Sequence, residues 1–326
     1  DSIGTLIFLV SALGMGIGRG TRWGMWLLEA AFLFSGALLA FSLMRRRWNE
    51  LAALVGVTAA LMGAKTLFDA GNSVEEYSLL FTWAALYAFY QYTRHPEKKW
   101  YPLVFGIALA ANFWLRANLV GTVAVLLVIW FIDHYRRSGI KQALLHLLLV
   151  LAGVSIVTVP LLIYFFGQGT LNEMFSAAVV YNFGYSFDDR LGAKTGLPIW
   201  HGSLVPGFTK LGWLANFGLV GWLLLLLQTL RGLKKPLAGP FDLVLILAWP
   251  VEVIASSISG RGFGHYYICW LPVLGLLVGY LTFWVNNHVL SADFVDLVTR
   301  RKIWIPYAAG VLLFTVIFPA DVAQNG

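Results

Sequence analysis

Long apolar runs alternate with short polar loops over the whole chain. A helix needs ~20 apolar residues to cross a bilayer core, and somewhat fewer when snorkelling residues flank it. Runs of that kind occupy residues 25–44, 51–68, 77–93, 101–115, 117–134, 143–166, 210–230, 241–258, 266–286 and 303–319. The pattern predicts an all-α fold class: a polytopic transmembrane helical bundle of about ten spans, with interfacial helices beside them. A further apolar stretch, 4–16, is too short to cross comfortably and is expected as an interfacial or re-entrant helix.

The polar loops orient these spans. Basic residues gather at Arg45–Arg47, Arg94–Lys99, Arg136–Lys141, Arg231–Lys235 and Arg300–Lys302, which the positive-inside rule places in the cytoplasm. Loops 69–76, 167–209 and 259–265 are poor in Lys and Arg and are expected outside. The alternation closes only if residues 101–134 form a hairpin. Its tip, Leu115–Arg116–Ala117–Asn118, then lies at the outer side. The expected location is the cell (cytoplasmic) membrane, multi-pass, with any site facing the extracytoplasmic side.

Composition agrees with a lipid-facing surface. The 326 residues are 59% hydrophobic and 12% charged, against about 25% charged in a soluble domain. The net charge of +7 is segregated into short loops, so it speaks for topology and anionic headgroups, not for nucleic acid. A single cysteine, Cys269, excludes a disulfide within the chain. The whole chain, 1–326, is expected as one transmembrane domain. It begins inside an apolar stretch and ends soon after another, as a piece lacking a first span and its C-terminal end would. Only loop 167–209 is large. Within it, 171–182 has helical apolar spacing, and Gly196, Pro198, Trp200 and Pro206 suit an ordered cover over a cavity.

The polar groups of interest are expected at one level, the outer edge. Two acids, Glu75 and Glu76, follow a Gly71–Asn72–Ser73 turn. They are open to two readings, helix capping or acid–base chemistry. Arg116 and Asn118 sit between apolar runs, where an arginine either snorkels or marks a functional site. The stretch Arg261–Gly–Phe–Gly–His265–Tyr266–Tyr267 gathers a guanidinium, an imidazole and two phenols at the mouth of a span. An interfacial aromatic belt would explain part of it; a grip on an anionic headgroup would explain all of it.

Glu29 and Lys65 lie near outer span ends, where they snorkel or cap. Glu252, after Pro250, is intramembrane, and either pairs with a basic group or satisfies donors freed by the proline. His146 and His288 read as structural, while His201 and Lys210 flank the large loop without a clear role. Walker A, dinucleotide, His-Glu-x-x-His and Gly-x-Ser-x-Gly motifs are absent, which argues against a primary pump and against a nucleotide cofactor.

Three segments taken together resemble a known group. They are Asp1–Gly14, Gly71–Asn72–Ser–Val–Glu75–Glu76–Tyr77 and Gly260–Arg261–Gly–Phe–Gly–His265–Tyr266–Tyr267. With the topology they resemble the bacterial integral-membrane glycosyltransferases of the GT-C superfamily, near the protein mannosyltransferase-like group. The resemblance implies transfer of a sugar from a polyprenyl-phosphate carrier to a glycan, lipid or protein acceptor, with inversion, at the outer face. It implies catalytic acids among Asp1, Glu75 and Glu76, and a lipid-phosphate grip by Arg116, Arg261, His265 and Tyr266. It also implies a divalent cation, Mg or Mn, in some members. The chain departs from the pattern after Asp1, where Ser2–Ile3–Gly4–Thr5 replaces His-Lys-Gly-Pro. The usual catalytic acid would then lie upstream, with Asp1 as its neighbour. A transporter or lipid flippase, with polar groups along a midplane path, and a non-catalytic scaffold subunit are the competing expectations.

Overall fold

The computed structural model describes residues 4–68, 71–180, 199–231, 239–257 and 262–288. Every described element is a helix. In chain order these are α1 (Leu6–Ile17), α2 (Trp23–Arg47), α3 (Glu50–Leu67), α4 (Val74–Arg94), α5 (Tyr101–Leu115), a 3-10 turn (Ala117–Val120) and α6 (Gly121–Gly167). There follow α7 (Leu171–Phe175) with a π-helical turn (Ser176–Val180), α8 (Ile199–Leu211), α9 (Trp213–Arg231), α10 (Pro240–Ser257), a second 3-10 segment (Gly264–Trp270) and α11 (Leu271–His288).

Six stretches among the described residues are long and apolar enough to cross a membrane: α2, α3, the first 3-10 turn with α6, α9, α10, and the second 3-10 segment with α11. The protein is an integral membrane protein. Each expected span within the described residues coincides with a helix, although α5 has only 15 residues. The expected span 303–319 lies outside the described residues.

Local chemistry sets the ends of these helices. Asn49 caps α3 by accepting the Ala52 N–H at 2.8 Å. Pro102 opens α5, where its missing N–H costs nothing. Two expectations need correction. The span expected from residue 210 starts at Trp213, because Gly212 (φ 51°) breaks the helix. The stretch from 199, expected as loop, is the helix α8 with Pro206 inside it.

The expected hairpin is present, and Gly139 makes a second reversal. Gly139 has φ 78° and ψ 168°, a region that essentially glycine alone enters. The two arms of α6 fold back on one another there, so that His134 and His146, twelve positions apart, stack at 4.5 Å. A straight helix would separate them by ~18 Å. The Tyr92 hydroxyl donates to Asp133 at 2.9 Å, which puts the basic ends of α4 and of the first arm at one level. Arg47 pairs with Asp242 at 2.8 Å at the same end.

Small residues let the backbones close up, as lipid supplies little drive for helix association. A Cβ on Gly56 of α3 would lie 2.6 Å from the Gly275 carbonyl of α11. One on Gly106 of α5 would lie 2.0 Å from the Val150 carbonyl in the second arm of α6. That second arm turns Leu144, Leu148, Leu151, Ile156, Ile163 and Phe166 outward.

The Gly139 reversal predicts a defined defect. A Cβ there meets nothing within 4 Å, so Gly139→Ala tests the backbone conformation alone. The variant should lose about 1–3 kcal/mol, read as a lowered midpoint of thermal unfolding in detergent. An unchanged midpoint would show that the chain does not reverse at this residue.

Candidate functional site

The hairpin tip carries the site. The α5 helix ends at Leu115, and Arg116 leaves it in extended conformation (φ −169°, ψ 129°). This turn drives the guanidinium inward, where only 8% of the residue is exposed. Its Nη1 donates to Glu75 Oε1 at 2.6 Å, and its Nη2 to the Tyr266 hydroxyl at 2.9 Å. The guanidinium also lies 4.5 Å from the centroid of the Tyr266 ring, within cation–π range. Three parts of the chain thus meet on one cation: the N-terminus of α4, the hairpin tip and the second 3-10 segment. His265 extends the cluster, stacked on Phe263 at 5.7 Å and edge-on to Tyr266 at 4.7 Å.

The turn before α4 is built from the inside. Gly71 (φ 71°) and Asn72 (φ 57°) both adopt left-handed conformations, which glycine and asparagine tolerate best. The Asn72 N–H donates to Glu29 Oε1 at 2.9 Å, and the Tyr77 hydroxyl to Asn72 Oδ1 at 2.5 Å. Glu76 Oε2 accepts the Ser73 N–H at 3.1 Å, the carboxylate half of a capping box. The Glu29 carboxyl that takes the Asn72 N–H is itself 1% exposed. The two adjacent acids therefore diverge. Glu75 faces Arg116, while Glu76 turns back to the helix cap.

Of the residues expected at the site, Glu75, Arg116, His265 and Tyr266 converge, and Glu76 lies one hydrogen-bonding layer behind. Asp1 and Arg261 fall outside the described residues, as do Asp188 and Asp189 of the large loop. Either side of those acids the loop is packed down. Met174 and Ala178 bury against Ala110, Trp114 and Leu161, and Gly207 of α8 would clash with Trp270 if it carried a Cβ.

Glu29 was undervalued by sequence: it neither snorkels nor caps its own helix but holds the turn before α4. Glu252 meets neither expectation placed on it. It accepts the N–H and hydroxyl of Thr122, both at 2.6 Å, from a helix remote in sequence. His146 stacks on His134, and His288 contacts the Trp284 carbonyl at 2.8 Å, both as structural residues. Among the described residues, no three His, Cys, Asp or Glu side chains are grouped so as to hold a metal ion.

Comparison with known proteins finds no matching family model and no matching curated protein. Among solved structures, the chain is similar to that of ArnT from Cupriavidus metallidurans bound to undecaprenyl phosphate. The TM-score is 0.60 at 17% identity, over 99% of this chain and 68% of that one. The chain has the GT-C fold. A second match is the archaeal oligosaccharyltransferase AglB from Archaeoglobus fulgidus, in complex with an inhibitory peptide and a dolichol-phosphate. It has a TM-score of 0.47 at 14% identity, over 99% of this chain and 48% of that one. Within the GT-C fold of this chain, the Arg116 cluster lies where α4, the hairpin tip and the second 3-10 segment meet.

Burial makes the ion pair a stability element as well. Glu75→Ala leaves a buried guanidinium without its counter-charge and should cost about 3–5 kcal/mol. The double variant Glu75→Ala/Arg116→Ala should recover part of that loss, because no charge is then stranded. Unfolding midpoints of the single and double variants in detergent measure this. Additive losses would mean that the two side chains do not pair.

Proposed function

We propose that this protein is a glycosyltransferase that moves a sugar from a polyprenyl-phosphate carrier to an acceptor at the extracytoplasmic face. One observation carries the proposal: a buried arginine at the end of a membrane bundle, held between a carboxylate and a phenol. A planar guanidinium offers a fork of donors that matches a phosphate as well as a carboxylate. Glu75 keeps Arg116 oriented in the absence of ligand, and an arriving phosphate exchanges one oxyanion partner for another. Supporting this, the GT-C fold is shared with ArnT, whose structure holds undecaprenyl phosphate.

Arg116, Tyr266 and His265 hold the donor phosphate, with Arg261 joining them by its place in the same segment. The bond from the sugar C1 to the phosphate oxygen breaks, and its electron pair leaves on that oxygen. The acceptor hydroxyl oxygen bonds to C1 from the opposite face, which inverts the configuration. Its proton passes to the Glu75 carboxylate, which the exchange frees beside the reacting atoms. The cation and the phenol stabilise the charge that grows on the leaving phosphate. Glu76 and Glu29 hold the turn that carries Glu75. Asp1, assigned by resemblance alone, adds a further acid. The segment 167–209, which ends in α8, is assigned as the cover of the site, and the chain as one transmembrane domain.

Hydrogen bonds beneath the site favour transfer over transport. Asn112 donates to Thr82 at 3.0 Å, Trp270 to Ser256 at 3.1 Å and Thr122 to Glu252. These pairings join neighbouring helices close to the site, whereas a carrier needs polar groups along a path through the midplane.

The test uses purified full-length protein and a labelled polyprenyl-phosphate sugar. Arg116→Ala should lower kcat/KM by about a hundredfold or more, the scale of losing one donor to a developing oxyanion. Retained transfer after combined Arg261→Ala and His265→Ala substitution would remove those two from the site. No transfer by the wild type to any glycan, lipid or protein acceptor would sink the proposal itself.

A further inference from the structure

We infer that Glu252 is a positioning residue for Arg116 and Tyr266, an inference that rests on the donor-phosphate role proposed for those two side chains. Glu252 touches neither of them. It lies in α10, 1% exposed, two residues beyond Pro250. What it holds is the start of α6, six positions after Arg116.

The first N–H groups of a helix have no partner inside it. A Ser, Thr, Asp or Asn at the N-cap normally supplies one. Here the N-cap is Val120, which offers no side-chain acceptor. Glu252 supplies it from another helix. One oxygen, Oε1, accepts both the Thr122 N–H and the Thr122 hydroxyl at 2.6 Å. The negative charge also complements the positive end of the α6 dipole. Gly121 makes the approach possible, since a Cβ there would stand 2.9 Å from the Glu252 carboxyl.

The helix of Glu252 reaches the other half of the site. Trp270 of the 3-10 segment donates from Nε1 to Ser256 Oγ of α10 at 3.1 Å, and the Cys269 thiol donates to the Tyr266 carbonyl at 3.1 Å. Through Glu252 and Ser256, α10 therefore ties the hairpin tip to the 3-10 segment from below. Arg116 Nη2 and the Tyr266 hydroxyl join the same two elements from above, at 2.9 Å. An unfilled helix N-terminus would itself attract an anion. With Glu252 seated there, the start of α6 already has its anion, and the phosphate falls to the Arg116 cluster.

The experiment uses full-length protein carrying Glu252→Ala, Glu252→Gln or Gly121→Ala. Binding of undecaprenyl phosphate is measured alongside KM and kcat for transfer. Glu252→Ala should weaken binding and raise the donor KM by about tenfold, with a smaller change in kcat. Glu252→Gln keeps an acceptor for Thr122 and should stay within about threefold of wild type. Gly121→Ala displaces the carboxyl without removing its charge and should reproduce the binding loss, even if Glu252→Ala fails to fold.

In an Arg116→Ala background, Glu252→Ala should change binding by no more than about twofold, since its effect runs through Arg116. A full, independent loss in that background overturns the inference. So does a Gln variant as impaired as the Ala variant, which would point to proton transfer, or wild-type binding by Glu252→Ala and Gly121→Ala. Wild-type protein that binds the lipid phosphate but transfers no sugar overturns the function and leaves the positioning role standing. Protein that does neither overturns both.

Discussion

Lipid offers no hydrogen-bond partner, so every polar group drawn into this bundle must find one on another part of the chain. Arg116 is where that constraint bites hardest, because a stranded guanidinium in such a place is among the costliest groups a protein can hold. Glu75 and Tyr266 answer it, and they come from segments far apart in sequence. Satisfying one cation therefore registers the start of α4, the hairpin tip and the 3-10 segment against each other. The same three parts form the proposed site, so its geometry and the stability of that end of the bundle are one problem.

Close helix packing makes such registration possible. Gly106 and Gly153 bring α5 against the second arm of α6, and Gly56 and Gly275 bring α3 against α11. Backbones that approach this closely leave little freedom for a helix to slide or turn. The Gly139 reversal lies at the level of the basic ends, where Tyr92, Asp133 and Arg137 are linked, and sends the chain back across the bundle. The polar groups thus separate into two layers. One is an end rich in basic loops, and the other holds Glu29, Glu75, Glu76, Arg116 and His265.

Much of the bundle was legible in the sequence because lipid imposes a length and a polarity on each helix. Residues 25–44, 51–68 and 241–258 stand out as apolar runs and become α2, α3 and α10. The basic loops also predicted the hairpin at Arg116, since no other arrangement keeps 94–99 and 136–141 at one level. Helices that lie under the site were harder to read. Residues 199–211 carry Gly and Pro, which local preference assigns to loop, yet packing of Pro206 on Gly262 and of Gly207 on Tyr267 and Trp270 holds them helical. The adjacent acids show the same limit. Nothing local tells Glu75 from Glu76, because their difference lies in the neighbours that each side chain meets across the bundle.

Spans, their alternation and the residue types available at each end of the bundle follow from the sequence alone, since each depends on composition within one segment. Tertiary structure decided the partners. It set Glu75 on Arg116, Glu29 on the turn before α4 and Glu252 on the uncapped start of α6. Those choices follow from which distant donors and acceptors the packing brings within ~3 Å, a distance that no spacing along the chain encodes.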